Sequence, residues 1–195
     1  MGTFRIVGGS LKGRRFRPHV GEHTRPTSER VREALTSALL SRGRIADARV
    51  LELFAGTGAL SFEALSRGAA HAVLVERDRR ALEGLKQSVA ELGLGERVTI
   101  RPFDLEREGN VARLVADGPF DLIFADPPYA KAALVGSILD ALARGGALAN
   151  DAFFVIEHAA ATPPTLASLA PVARYEYGDT VVVFATMLPS AAPEA

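Results

Sequence analysis

Asp126, Pro127, Pro128 and Tyr129 place a carboxylate, two prolines and a phenol in four consecutive positions, directly after the apolar run 120–125. Each proline fixes its own φ and lacks an N–H, and Pro127 also holds Asp126 extended. The result is a rigid turn rich in acceptors, the Asp126 carboxylate and the backbone carbonyls, with a flat ring beside it. A turn built only to change direction would use more forgiving residues such as Gly, Asn or Ser. The plain alternative is a strand end stopped by two prolines.

A second set of residues follows the run 49–55, in the stretch ELFAGTGALS. Gly56 and Gly58 let a ligand approach the backbone closely. Ser61 stands where a dinucleotide fingerprint requires Gly or Ala, and no Lys-Ser/Thr pair completes a phosphate loop. Eighteen residues beyond Gly58, the run 71–76 ends in Glu76, an acid placed to accept from both hydroxyls of a ribose. Phe103 and Asp104 follow the run 97–102, suited to stacking on a purine and accepting from its amine. Each acid taken singly is also readable as a solvated strand end. Three of them at the carboxyl ends of consecutive strands occupy the edge where open α/β sheets bind ligands.

The elements that must position these groups alternate from about residue 50. Short apolar runs at 49–55, 71–76, 97–102, 120–125 and 153–158 predict strands. Helical spacing at 59–67, 79–94, 106–116 and 131–144 predicts helices between them, giving βαβ units and a parallel sheet buried on both faces. Gly178-Asp179 between 173–177 and 180–186 predicts a closing antiparallel hairpin. Before residue 50, the stretch 4–18 reads as two short strands around glycines. A helix over 27–40 follows, capped by Thr27 or Ser28, with Val31, Ala34, Leu35, Ala38 and Leu39 as its buried stripe. The tail 189–195 reads as disordered.

Composition sets outer limits. The chain has 195 residues, 48% of them hydrophobic, enough for one domain with a sizeable core. Having no cysteine, it has no disulfide, thiolate metal site or thiol nucleophile. No run is long and apolar enough for a membrane span, and neither a signal peptide nor a myristoylation motif is read at the start, so a cytoplasmic protein is expected. Net charge is zero, yet residues 1–49 carry 11 Lys and Arg against 4 Asp and Glu, and the remainder 12 against 19. The extension is thus +7 and the body −7, which suggests a polyanionic partner for one face. Arg5, Lys12, Arg14, Arg15 and Arg17 are its candidate phosphate contacts. Charge that merely solubilises the domain is the other reading. His19, His23, His71 and His158 show no ligand spacing, and no metal is expected.

Together ELFAGTG, VERD and DPPY resemble the class I S-adenosylmethionine-dependent methyltransferases. With RIVGGSLKGRRF, TRPTSERVREAL and YGDT added, residues 4 to 186 are similar to the bacterial 16S ribosomal RNA guanine-N2 methyltransferases that modify guanine 966. The resemblance implies a Rossmann-like α/β fold with a mostly parallel seven-stranded sheet. It implies a catalytic core over 50–188 and a basic N-terminal extension over 1–49 that contacts RNA. S-adenosylmethionine would be held by Glu52, Phe54, Gly56, Thr57, Gly58, Glu76, Arg77, Phe103, Asp104 and Asp126. Asp126, Pro127, Pro128 and Tyr129 would act on the base, and Arg25 and Thr27 would join the substrate side. The partner implied is 16S ribosomal RNA within the small subunit. Thr36-Ser37 stands where the family has Phe-Asn, and Ser88 where it often has Asn. A DNA adenine-N6 methyltransferase and a non-catalytic RNA-binding module are the alternatives.

Overall fold

The computed structural model describes residues 3–18 and 28–189, with the side chain of Tyr129 outside that description. A seven-stranded sheet with order β5-β4-β3-β6-β7-β9-β8 forms the body. Its parallel part comprises β3 (Arg49–Leu53), β4 (His71–Val75), β5 (Val98–Arg101), β6 (Phe120–Ala125) and β7 (Leu148–Ala159). The expected hairpin forms around Gly178, as β8 (Leu169–Tyr177) and β9 (Thr180–Met187), with β9 antiparallel to both β7 and β8. A separate two-stranded antiparallel ribbon, β1 (Phe4–Arg5) with β2 (Arg15–Phe16), forms in the extension.

Alternation along the strands divides the core in two. Val50, Leu122, Phe124 and Leu74 face α1 (Glu29–Ser41), α2 (Ala59–Ser66) and α3 (Arg79–Leu92). Leu51, Leu53, Ile123 and Val73 face α4 (Glu108–Leu114) and α5 (Leu134–Arg144). Helices on both faces explain why the central strands read as continuous apolar runs. Most predicted boundaries hold within a few residues. β7 is twice the expected length, because its outer half pairs Leu148 with Phe120 across a register shift. The predicted helix 131–144 begins at Leu134, after a tight 3₁₀ turn at Tyr129–Lys131.

Ser28 is the N-cap of α1, its hydroxyl accepting from Val31 N. The buried stripe of that helix differs from expectation. Ala34 is exposed, and Arg32 and Thr36 are buried beside Leu35 and Leu39. The reason is Glu63 of α2, fully buried, which faces Arg32 across 3.7 Å and also pairs with Arg67. Glu63 further accepts from Val7 N at 2.8 Å, while Ser66 accepts from Leu11 N and donates to Gly8 O. The extension is therefore fastened along α2, all eight of whose residues are buried. The tail beyond Pro189 lies outside the described residues, and among those described no helix is long and apolar enough to cross a membrane.

Candidate active site

Successive crossovers run in opposite directions from β3, toward β4 on one side and β6 on the other, so a crevice opens at the carboxyl ends of β3 and β6. Leu53 pairs with Ala125 in that register. The loop 54–58 and Asp126 thus leave adjacent strands at the same level, about 4.8 Å apart by strand spacing.

The two glycines of the loop do different work. Both have positive φ, +52° at Gly56 and +70° at Gly58. A Cβ at Gly58 would sit 2.8 Å from Leu85 Cδ2 and 3.0 Å from Phe62 Cζ, so this glycine is required by internal packing. At Gly56 the nearest atom to such a Cβ is Phe54 O at 3.9 Å, leaving open space where a ligand can approach the backbone. Phe54 itself takes φ +56°, an unusual conformation for a bulky residue and a strain the loop must hold.

Three carboxylates surround this loop. Glu52 is buried and accepts from Ser61 N at 3.0 Å, fixing the first turn of α2. Burial pushes its carboxyl up to about 7; the Ser61 hydrogen bonds oppose the rise, and the charges of Asp126 and Glu76 add to it. Glu76 accepts from Gly56 N at 2.9 Å with Oε2, and from Arg77 N and Asp78 N at 2.7 and 2.8 Å with Oε1. It therefore shapes the loop and keeps acceptor capacity on Oε2 for a hydroxyl. Asp126 is exposed at the end of β6, and desolvation by the surrounding protein raises its carboxyl to about 6.

The turn after Asp126 distinguishes the two prolines. Pro128 O already accepts from Lys131 N at 2.7 Å, closing the 3₁₀ turn. Among the described residues no donor reaches the carbonyl of Pro127, which leaves it as the acceptor available beside Asp126.

The other expected cofactor residues have protein partners of their own. Phe103 is 8% exposed, with the Arg113 guanidinium 4.6 Å above its ring, so it is a wall of the core with little surface for stacking on a base. Arg77 points to Asp104 and Glu106. Asp104 accepts from Glu106 N at 3.2 Å, and that bond, with Arg77 adding, holds its carboxyl below the usual range. Thr57 turns its hydroxyl to Ala59 N at 3.3 Å.

In the extension, Arg14 donates to Leu92 O and Glu91 O, the carbonyl end of α3, which is helix capping and leaves its charge committed. Arg5 pairs with Glu29 at 2.9 Å on the surface. Lys12, Arg15 and Arg17 are exposed, with no side-chain ion partner among the described residues. A shallow cleft of about 240 Å³ between ribbon and α1 is lined by Arg5, Lys12, Glu29 and Glu33, and its mixed signs give no preference for phosphate. Arg25, Thr27, His19 and His23 lie outside the described residues. His71 bonds Thr99, His158 bonds Ala159 O, and no metal-holding cluster exists among the described residues. Sequence reasoning missed Glu63, Glu106 and Lys131. Only their charge in otherwise apolar or turn contexts signalled them, and charge alone reads as solvated surface.

Comparison with known proteins agrees with this architecture. The family model described as conserved hypothetical protein 95 matches residues 4–186. Ribosomal RNA small subunit methyltransferase D of Escherichia coli (strain K12) is 36% identical over 157 residues, 80% of this chain and 75% of that protein. Among solved structures, a hypothetical protein of Thermus thermophilus is 30% identical with a TM-score of 0.74, over 93% of this chain and 98% of that one. An RNA methyltransferase from Salinibacter ruber, solved with S-adenosyl-L-homocysteine, has a TM-score of 0.62 at 16% identity, over 87% and 97% of the two chains, and shares the fold.

Proposed function

The chain belongs to the conserved hypothetical protein 95 family, and on that premise we propose that it methylates the exocyclic N2 amine of a guanine in 16S ribosomal RNA, using S-adenosylmethionine. The observation that carries this reading is the juxtaposition of the Gly56 loop and Asp126 on paired strands. The residues fit the cofactor: open backbone at Gly56, spare acceptor capacity on Glu76, and Asp104 at the next strand end. When bound, S-adenosylmethionine supplies a methyl group made electrophilic by its sulfonium.

A guanine amine is a poor nucleophile because its lone pair is delocalised into the ring. The Asp126 carboxylate accepts from the amine and from ring N1–H together, and the Pro127 carbonyl accepts the second amine hydrogen. Both acceptors localise the lone pair and orient it in line. Adenine has no N1–H, so the carboxylate favours guanine. Ionised above about pH 6, Asp126 is also placed to take the proton released once the nitrogen is methylated. Lys12, Arg15 and Arg17 remain as candidate phosphate contacts on the extension, for a substrate presented in the small subunit, in the cytoplasm.

The test is methyl transfer from labelled cofactor to small ribosomal subunits and to duplex DNA, with mapping of N2-methylguanine in 16S RNA from cells with and without the protein. Label in one guanine of the RNA is the expected result. Label in adenine of DNA, or none in either, overturns the proposal.

A further inference from the structure

Glu106 lies in the loop after β5 and is exposed, yet a single carboxylate oxygen joins two cations from different strand ends. Arg77 Nη1, two residues beyond β4, is 2.8 Å from Glu106 Oε2, and Lys131 Nζ, in the 3₁₀ turn beyond β6, is 3.0 Å from the same atom. β4 and β6 are the neighbours of β3 on either side. A link from the β4 end to the β6 turn therefore has to cross the end of β3, where the Gly56 loop sits. Strand spacing makes that span about 10 Å. The Lys131 side chain is only 15% exposed, against 45% for Glu106, so the lysine is laid along the protein toward its partner. Its own backbone N–H closes the turn on Pro128 O at 2.7 Å. Lys131 thus holds the Asp-Pro-Pro-Tyr turn from both its main chain and its side chain.

We propose that Lys131 and Glu106 are positioning residues. The Arg77–Glu106–Lys131 bridge fixes the turn that carries Asp126 and Pro127 at a set distance from the cofactor side of the crevice. The prolines set the turn's internal conformation, but its placement on the body needs such a tie. Pro127 and Pro128 have no N–H to anchor it by main-chain bonds, so side-chain contacts must supply the restraint. Partly exposed ion pairs are individually weak, so the bridge tunes placement rather than stability. Small misplacement at a reacting centre is costly to rate. The inference rests on the methyltransferase reading for its kinetic consequence, and on geometry alone for the state of the turn.

Two measurements separate these levels. In the enzyme alone, Lys131→Met and Glu106→Gln should each speed hydrogen exchange of the Lys131 amide by roughly 1.5-fold to fivefold, the span that loss of such weak pairs allows. With small subunits, each variant should lower kcat by a similar factor while leaving the KM for cofactor within about twofold. Lys131→Arg should restore the rate, and the double variant should be no slower than either single one, since both break one link. A direct phosphate contact by Lys131 would instead raise KM for the subunit and lower its salt dependence in Lys131→Met, with Glu106→Gln unaffected. That pattern overturns the proposal, as does unchanged amide exchange in both variants. If wild type transfers no methyl while the exchange results hold, the bridge stands as a tie on the turn and the methyltransferase reading fails.

Discussion

Replacing Glu63 by alanine should cost the protein a large part of its stability, although Glu63 touches neither the glycine loop nor Asp126. Its side chain is fully buried, with Arg32 at 2% exposure and Arg67 at 6% as its partners. Burial pulls the Arg32 guanidinium below its usual pKa, and the charge of Glu63 opposes that shift. Removing one member of a buried ion pair costs about 3–5 kcal/mol, because the remaining charge is left desolvated. The Val7 N–H also loses its acceptor, worth about 1–3 kcal/mol. These terms overlap, and a loss of about 4–6 kcal/mol is expected. A domain of this size loses about 2–4 °C of Tm per kcal/mol, so the melting point should fall by about 10–20 °C. Glu63→Gln keeps an acceptor for Val7 N but not the charge, and should lose about half as much. Urea titration of wild type and both variants measures this. Cofactor affinity should fall alongside in Glu63→Ala, since Gly58 of the glycine loop is the N-cap of α2 and the extension covers that helix's outer face. A loss below about 1 kcal/mol in Glu63→Ala, with unchanged m, would refute the account of the extension as fastened through this triad.

Other outcomes follow from the site. Glu52 has its carboxyl raised from 4.5 to about 7 in the folded state, so the folded protein holds that proton more tightly than the unfolded chain does. Its contribution favours the fold at low pH and is lost as pH rises from about 4.5 to about 7, about 3 kcal/mol in all at 1.36 kcal/mol per unit; Glu52→Gln should flatten stability across that window, as read by urea midpoints at several pH values. Asp126 should impose a one-proton fall in methyl transfer as pH drops through about 6. Asp126→Ala should lower single-turnover transfer by roughly a hundredfold or more with near-normal cofactor affinity, and near-normal turnover would return the turn to a structural strand end. Gly58→Ala meets Leu85 and Phe62 at φ +70° and should lose about 2–4 kcal/mol by thermal melting. Gly56→Ala, with open space around it, should lose about 1 kcal/mol yet weaken cofactor binding measured by calorimetry.

The alternation of strands and helices was legible in the sequence because it depends on local periodicity. Val50, Leu51, Val73 and Leu74 are buried on both faces of a parallel sheet, so their run is apolar without a break. Gly178 marked the hairpin by its turn chemistry, and Asp-Pro-Pro-Tyr marked the crevice because prolines impose a conformation that needs no tertiary partner. Side-chain roles set by distant partners were not legible. Arg32 lies on the buried face of α1 because Glu63, far along the chain, neutralises it there, whereas the helical pattern alone favoured Ala34. Arg14 reads as one more cation for RNA, but it caps the carbonyl end of α3. The choice between the two proline carbonyls came from Lys131 N, which occupies Pro128 and leaves Pro127. Strand order also belongs to the tertiary structure. Only the pairing of β3 with both β4 and β6 opens the crevice between Gly56 and Asp126, and pairing energies between segments distant in sequence leave no local pattern to read.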